Sequence, residues 1–332
     1  MLSIKNKMAG KLETAISGYE MGLSEEDLFS YADYDEQEVE KIGYSNYSYW
    51  KSTIKMFCKN KVAVILVFVI VAILAFTFIQ PHLPHQYDPN QINNDISGVQ
   101  YRNVAPGKEF WFGTNSIGQD LWARIWAGTR NSLFIGFSVA IIEALIGITV
   151  GVLWGYVRWL DPIFTEIYNV IDNIPQTIVL ILISYILKPS IKTLIFAMCL
   201  TGWIEMARFI RNQVIMIRDR EYNLASRCVG TNVSKIVVKN LLPYLVSVIM
   251  LRMALSIPGA IGSEVFVTYI GLGLPTSIPS LGSLINDGRA LMMSPSLRYQ
   301  LIFPTIVVSI VTISFYIIGN AFSDAADPKN HV

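Results

Sequence analysis

The chain has 332 residues, of which 52% are hydrophobic and 15% are charged, whereas a soluble globular domain carries about 25% charged residues. This composition argues against an ordinary soluble enzyme, and the formal charge of +1 gives no basic excess of the kind that binds nucleic acid. The three cysteines are far apart and form no C-x-x-C pair, which argues against a disulfide framework and a zinc site.

Residues 1–61 are predicted to form a cytoplasmic tail. Within it, residues 20–40 are rich in Asp and Glu and poor in aliphatic side chains, a composition that cannot bury enough apolar surface to order itself. We therefore expect an acidic, partly flexible and solvated tail, with docking to a partner as the alternative.

Six apolar windows predict membrane-spanning helices, because backbone groups in lipid must form hydrogen bonds within their own segment. The windows are 62–79, 132–156, 163–187, 191–207, 242–262 and 300–319. No earlier apolar stretch is long enough for a signal peptide, so the first window is expected to remain as the first span. The predicted fold is an all-α integral membrane protein with six transmembrane helices and a five-helix core over 132–319.

Four lysines directly before the first span set the predicted orientation. By the positive-inside rule they hold the amino terminus in the cytoplasm, and six spans then return the tail 320–332 to the same side. Most of the other Lys and Arg residues also fall in segments assigned to the cytoplasm. Both termini are therefore predicted to be cytoplasmic in a multi-pass membrane protein.

Residues 80–131 are predicted to form a long external loop. Its second half, with Trp111 and Trp122, is predicted to be an interfacial helix, because tryptophan prefers the headgroup region. A membrane-surface belt and a docking surface for an external protein are equally consistent with this spacing. His82 and His85 have no third ligand in this loop, so no metal site is predicted.

The second predicted span carries glycines at every fourth position, namely Gly147, Gly151 and Gly155. Small residues on one helix face permit the close approach of another helix. We expect this face to serve helix packing.

Charged side chains inside the predicted spans are candidates for function. Such groups cost about 2.5 to 3.5 kcal/mol on insertion scales and usually face a cavity or a partner. Glu143, Asp172 and Arg252 lie inside predicted spans. Glu166 and Glu205 are expected near the cytoplasmic boundary, where water reaches them, and need no functional role.

Asp172 is expected near mid-depth of the third span. Asn169 lies beside it and the kink-prone Pro175 just beyond it. These three residues and Arg252 are the predicted lining of a water-filled translocation pathway. The alternative is an internal ion pair of Arg252 with Asp172 or Glu143 that only holds the helices together.

The connection between the fourth and fifth predicted spans, residues 208–242, is too long for a simple turn. Residues 218–230 predict a short amphipathic helix with acids in its first turn and Gly230 at its end. A second helix is predicted over 233–242, followed by Pro243. Gly230 is expected to adopt a positive φ. A plain interfacial hairpin is the alternative to a functional element here.

The spacing of acidic, small, glycine and proline residues in this connection resembles the EAA loop of ABC-importer permeases. That loop reads E-A-A-x-x-x-G followed by I-x-L-P, and in the family it forms coupling helices that seat in grooves of the cytoplasmic ATPase subunits. The resemblance implies an ATPase-coupling role for Glu221, Tyr222, Ala225, Ser226, Arg227, Gly230 and Pro243.

Other segments resemble the same family. Residues 113–120 are similar to its G-T-D-x-x-G-R-D block, although Asn115 and Gln119 replace the usual Asp and Arg. Residues 271–275 resemble its G-L-G block, and residues 324–328 resemble its D-x-x-D-P ending. The chain is thus identified as a member of the oligopeptide/dipeptide permease family, resembling the C-type subunit of Gram-positive bacteria, and the resemblance implies the type I ABC-importer permease fold.

The resemblance also implies partners. They are a homologous second permease, two cytoplasmic ATPase subunits and an extracellular peptide-binding lipoprotein, assembled in the bilayer of a bacterial plasma membrane. The sequence contains no G-x-x-x-x-G-K-[ST] phosphate loop, so this chain is predicted to be no enzyme and to hold no cofactor. ATP and Mg would be bound by the ATPase partners.

The implied function is ATP-driven uptake of oligopeptides delivered by the external binding protein. Import of another solute, such as nickel or an oligosaccharide, is an alternative within the same machinery. An ion-driven secondary transporter, with Asp172 or Glu143 carrying the ion, is a further alternative, although no convincing internal repeat supports it.

Overall fold

The computed structural model of the protein describes residues 49–326, and this part consists of α-helices joined by turns and loops. In chain order the helices are α1 (Tyr49–Lys59), α2 (Lys61–Ile79), α3 (Leu121–Tyr156), α4 (Asp161–Asp172), α5 (Gln176–Ile186), α6 (Ile191–Arg218), α7 (Glu221–Cys228), α8 (Val233–Ile236), α9 (Leu242–Tyr269), α10 (Leu281–Ala290) and α11 (Tyr299–Ala326). A π-helical turn, Val237–Leu241, joins α8 to α9. The predicted acidic tail before residue 49 and the final Asp327-Pro328 lie outside the described residues.

Five helical segments of the described part are long and apolar enough to cross a membrane: α2, α3, α6, the run Val233–Tyr269 that contains α9, and α11. The predicted span 163–187 is not one continuous helix, because α4 and α5 meet at a 71° bend. At about 1.5 Å per residue, neither half reaches across a hydrocarbon core of about 30 Å. Together, the two halves can form the sixth span.

Pro175 accounts for the break between α4 and α5. It precedes the first residue of α5 with a ψ of 123°, outside the helical range. Proline has no backbone N–H and disfavours a helical conformation in the residue before it. The predicted kink at Pro175 is therefore confirmed, but it is a full interruption of the helix.

α3 begins well before the apolar window that predicted it. The Asp120 side chain accepts a hydrogen bond of 3.0 Å from the backbone N–H of Ala123, and this cap starts the helix at Leu121. The predicted interfacial helix around Trp122 is therefore the first part of α3 and not a separate element. The external loop correspondingly ends at Asp120.

The later helices also extend beyond their windows. α6 continues to Arg218, so residues 208–218 of the predicted connection are helical and the connection itself begins at Asp219. α9 continues to Tyr269 and α11 to Ala326. A hydropathy window stops at the first charges, whereas a helix continues while its backbone groups remain hydrogen-bonded.

The three glycines of α3 pack against α6. A Cβ atom at Gly151 would lie 2.5 Å from the carbonyl oxygen of Ala207, and one at Gly147 would lie 2.6 Å from Cβ of Met206. A Cβ atom at Gly155 would lie 2.8 Å from Cβ of Val214. Only glycine permits this separation, which confirms the predicted packing face.

One core cluster joins four of the membrane helices. Ile70 of α2, Leu133 of α3, Ile261 of α9 and Val311 of α11 are buried together in it. α4 and α5 contribute no buried residue to this cluster. A second cluster joins α6 to α3 and α9 through Ala144, Ile210 and Leu245, so α3, α6 and α9 all contribute to the packed interior of the described part.

Candidate functional site

Residues 219–243, which we call the coupling element, connect α6 to α9. They comprise α7, a turn, α8, the π-helical turn and the first residues of α9, including Pro243. Glu221 is the first residue of α7, where the helix dipole favours an acid. The sequence pattern therefore predicted the helix–glycine–helix order of this element, but not its bounds. The first helix is limited to Glu221–Cys228, and the helix predicted over 233–242 is α8 followed by the π-helical turn, which runs into α9 without ending at Pro243.

Gly230 ends α7 in a Schellman motif. Its φ is +81°, which confirms the prediction of a positive value. The Gly230 N–H donates to the Arg227 carbonyl at 2.9 Å, and the Thr231 N–H donates to the Ser226 carbonyl at 3.0 Å. A Cβ atom at Gly230 would meet nothing within 4 Å, so the backbone conformation, and not crowding, demands glycine here.

Asn223 fastens the coupling element to the helices on either side. Its side chain is fully buried, its amide donates to the Ile217 carbonyl at 2.9 Å, and its amide oxygen accepts from Asn240 at 3.0 Å. It therefore ties α7 both to the end of α6 and to the π-helical turn before α9. The sequence did not indicate this role of Asn223, because Ile217 and Asn240 come next to its side chain only in the folded chain.

Arg227 makes a second attachment. Its guanidinium donates to the Arg218 carbonyl at 3.1 Å and lies over the Tyr156 ring, with 5.1 Å between Cζ and the ring centroid. Arg218 in turn donates to the Gly155 carbonyl at 2.6 Å. α7 is thereby connected to the ends of both α3 and α6.

The opposite surface of the coupling element is open. Glu221, Ala225 and Pro243 are exposed, and Ser226 is partly exposed with its hydroxyl donating to the Tyr222 carbonyl at 2.8 Å. Large apolar side chains are also exposed on this element, namely Tyr222, Leu224, Val229, Val233 and Val238. An exposed apolar surface of this kind is typical of a protein contact.

A cavity of about 230 Å³, which we call the membrane cavity, opens between α3, α6 and α9, and the start of α5 also contributes to its lining. Its polar lining consists of Glu143, Gln176, Glu205, Arg252, Ser256 and Ser263. Of the four predicted pathway residues, only Arg252 lines this cavity. Glu205, which was expected near the cytoplasmic boundary without a functional role, is exposed and also lines the membrane cavity.

Asp172, Asn169 and Pro175 lie at the break between α4 and α5 and do not line the membrane cavity, although Gln176, the residue after Pro175, does. Asp172 approaches Arg208 at 4.0 Å, and the two side chains are 45% and 53% exposed. Arg208 also donates to the Tyr168 hydroxyl and lies over its ring. The proposed pairing of Arg252 with Asp172 or Glu143 does not occur, since neither carboxylate lies within 4.0 Å of Arg252.

Glu264 is a buried carboxylate that the hydropathy window missed, because that window ended at residue 262. The side chain is fully buried on α9 and accepts hydrogen bonds from Ser132 at 3.2 Å, Ser280 at 2.6 Å and Thr268 at 3.2 Å. The Ser132 hydroxyl also accepts from the Leu281 N–H at 3.1 Å. Glu264 therefore joins α3 and α9 to the beginning of α10.

Two family models match the chain. One, described as "Binding-protein-dependent transport system inner membrane component", matches residues 147–332. The other, described as "N-terminal TM domain of oligopeptide transport permease C", matches residues 48–106. The chain belongs to the family of binding-protein-dependent transport permeases. This permease is accordingly a non-catalytic, multi-pass membrane subunit.

Similar proteins cover nearly the whole permease. It is 38% identical to the oligopeptide transport system permease protein AmiD of Streptococcus pneumoniae, over 94% of this chain and 100% of that protein. It is 33% identical to the oligopeptide transport system permease protein OppC of Bacillus subtilis, over 91% and 97% of the two chains. The dipeptide transport system permease protein DppC of Bacillus subtilis is 34% identical over 88% and 90%.

Among solved structures, the MetNI methionine ABC transporter in inward-facing conformations contains a similar chain. That likeness has a TM-score of 0.49 at 20% identity and covers 61% of the permease and 96% of the other chain.

Proposed function

We propose that the permease carries short peptides across a bacterial plasma membrane as one subunit of an ATP-driven importer. The observation that carries this proposal is the similarity, over nearly the full chain, to permeases named for oligopeptide and dipeptide transport. The matched regions cover between 88% and 94% of this chain.

The proposed partners are a homologous second permease, two cytoplasmic ATPase subunits and an extracellular peptide-binding lipoprotein. ATP and Mg are bound by the ATPase subunits in this proposal. The exposed apolar side chains of the coupling element, Tyr222 and Leu224 among them, fit a protein partner on the cytoplasmic side.

The contacts of the coupling element suggest how ATPase motion would reach the membrane. Asn223 ties α7 to α6 and to the turn before α9, and Arg227 ties it to the end of α3. A displacement of α7 by the ATPase subunits would therefore act on α3, α6 and α9 together. These are the helices that line the membrane cavity, so the displacement would change the access to it.

A substitution at Gly230 tests the coupling role. Valine at a φ of +81° costs about 1 to 2 kcal/mol or more and distorts the end of α7. We expect Gly230→Val to reach the membrane and to lower peptide uptake per ATP hydrolysed severalfold, because a distorted α7 would transmit ATPase motion poorly to α3, α6 and α9. Uptake of a labelled short peptide and ATP hydrolysis are measured in cells and vesicles that lack the native chain.

Gly98→Val is the matched control, because Gly98 has a φ of +80° and open space around it but lies in the external loop. It should leave the ratio of uptake to hydrolysis unchanged. Normal coupling in Gly230→Val would contradict the proposed role of α7. Absence of peptide uptake with the native chain, or uptake that follows an ion gradient and persists without ATP, would contradict the proposed function.

A further inference from the structure

The membrane cavity contains acidic and basic side chains that no oppositely charged group of the described residues approaches. Glu143, Glu205 and Arg252 line it, and none of them has an oppositely charged group within 4.0 Å among residues 49–326. Ionisable side chains at membrane depth are costly and usually face a ligand or a partner. These three side chains therefore indicate a polar ligand.

Glu143 is held in place for such a contact. Ser256 donates a hydrogen bond of 2.6 Å to its carboxylate, and the carboxylate occupies the space beside Gly202, where a Cβ atom would collide with it. An ionised carboxylate can accept about four hydrogen bonds, and the Ser256 bond is the single one that the described residues supply. The Glu143 carboxylate can therefore accept further hydrogen bonds on the side that faces the membrane cavity.

Arg252 and Glu205 lie on the same side of Glu143. Arg252 precedes Ser256 by one turn of α9, and Glu205 follows Gly202 by about one turn of α6. Because α6 and α9 are consecutive spans and run in opposite directions, both side chains lie about 5 Å along the helix axes from the level of Glu143. The Arg252 guanidinium is 4.9 Å from the centroid of the Phe209 ring and donates no hydrogen bond to the described residues.

The size of the membrane cavity limits its occupant. At about 230 Å³ it is smaller than the roughly 300 to 1,000 Å³ of pockets that enclose a drug-sized ligand. This chain can therefore hold one end of a peptide and not a whole oligopeptide.

We propose that the membrane cavity binds the amino end of the transported peptide. The ammonium group lies between the carboxylates of Glu143 and Glu205, and the adjoining peptide carbonyl oxygens face Arg252. An ammonium group has three donors and no acceptor, which complements two carboxylates, whereas the guanidinium has donors for carbonyl oxygens. The cavity lining has two acidic side chains, Glu143 and Glu205, and one basic side chain, Arg252, which favours the amino end of a peptide over its carboxyl end. This inference rests on the proposed function as a peptide permease.

The test measures peptide binding to the purified transporter, with both permeases and both ATPases in lipid nanodiscs and without the binding protein. The probes are radiolabelled Ala-Ala-Ala and the same peptide acetylated at its amino end. We expect the native complex to bind the free peptide about tenfold more tightly, since acetylation removes the ammonium charge. Glu143→Gln should abolish this preference.

Two further variants support the interpretation. Glu205→Gln changes an exposed side chain, so we expect it to fold normally and to reduce the preference in the same direction. Glu166→Gln, at an exposed position of α4 outside the cavity, should leave it unchanged.

Equal binding of the two peptides by the native complex, binding of neither, or a preference that survives in Glu143→Gln would overturn the inference. Peptide uptake by the complete system is measured in parallel. Uptake without an amino-end preference would leave the proposed function standing, whereas no peptide uptake would contradict the proposed function as well.

Discussion

Glu264 shows how a single buried carboxylate can hold several elements of the permease together. Three hydroxyl groups donate to it, from α3, from α9 itself and from the residue that caps α10. A buried polar group is tolerated only when its hydrogen bonds are satisfied, and here the bonds from Ser132 and Ser280 also join α9 to α3 and to the beginning of α10. We therefore expect Glu264 to contribute mainly to stability, in contrast to Glu143 in the membrane cavity.

Removing the Glu264 carboxylate should be strongly destabilising. Glu264→Ala leaves a void and three buried hydroxyl groups without their acceptor, which should lower the free energy of unfolding by about 3 kcal/mol. Glu264→Gln retains one acceptor oxygen and should cost roughly half as much. Unfolding of the purified permease in detergent measures both changes.

Glu166→Ala is the control for this comparison, because Glu166 is exposed and its substitution should change the free energy of unfolding by less than about 0.5 kcal/mol. If Glu264→Ala is as stable as the native permease, the hydrogen bonds of Glu264 do not stabilise the fold.

At the scale of helices, the contact between α3 and α6 depends on the absence of side chains. Gly147, Gly151 and Gly155 face Met206, Ala207 and Val214 at distances that exclude a Cβ atom. Dispersion contacts between closely spaced helices take the place of the hydrophobic effect, which is weak between helices in lipid. This contact also determines how far apart the walls of the membrane cavity stand.

A larger residue in this contact should separate the two helices. In Gly151→Val, the new side chain would meet the Ala207 carbonyl oxygen, and we expect a loss of about 3 kcal/mol in the free energy of unfolding. Gly262→Val is the matched control, because Gly262 is exposed on α9 and a Cβ atom there meets nothing within 4 Å. Thermal unfolding of the two purified variants provides the comparison, and similar transition temperatures would show that α3 and α6 need no close approach.

At the scale of the whole molecule, the orientation in the membrane remains a prediction of the positive-inside rule. It places the coupling element in the cytoplasm and the loop before α3 outside. The permease contains natural reporters of this arrangement, since Cys58 and Cys228 are exposed and Cys199 is buried. Ile96 is fully exposed in the loop on the other predicted side.

A membrane-impermeant maleimide should therefore distinguish the two sides. In intact cells we expect it to label an Ile96→Cys variant through the introduced thiol and to leave the native permease unlabelled. After permeabilisation, Cys58 and Cys228 should react as well, which makes the native chain its own control. Labelling of Cys228 in intact cells would reverse the predicted orientation.

Much of the fold was predictable because the responsible signals are local. Apolar windows locate the spans, and a glycine between two short helices predicts the positive φ of Gly230. The ends of the helices were less predictable, as α3 and α6 show, because a charged residue ends a hydropathy window without ending a helix. Pro175 indicated a kink, but the 71° bend also depends on what packs around it.

The candidate site likewise combines features that neighbouring residues predict with features that only folding brings together. Glycine spacing and the order of residues in the coupling element are properties of neighbouring positions, so the sequence was enough to propose a packing face. Through the resemblance to ABC-importer permeases, it was also enough to propose an element for ATPase coupling. The membrane cavity and the Glu264 cluster could not be inferred in this way. Ser132 and Glu264 are 132 positions apart, and Glu143 and Ser256 are 113 positions apart, so only the packing of α3 against α9 brings these polar groups within hydrogen-bonding distance.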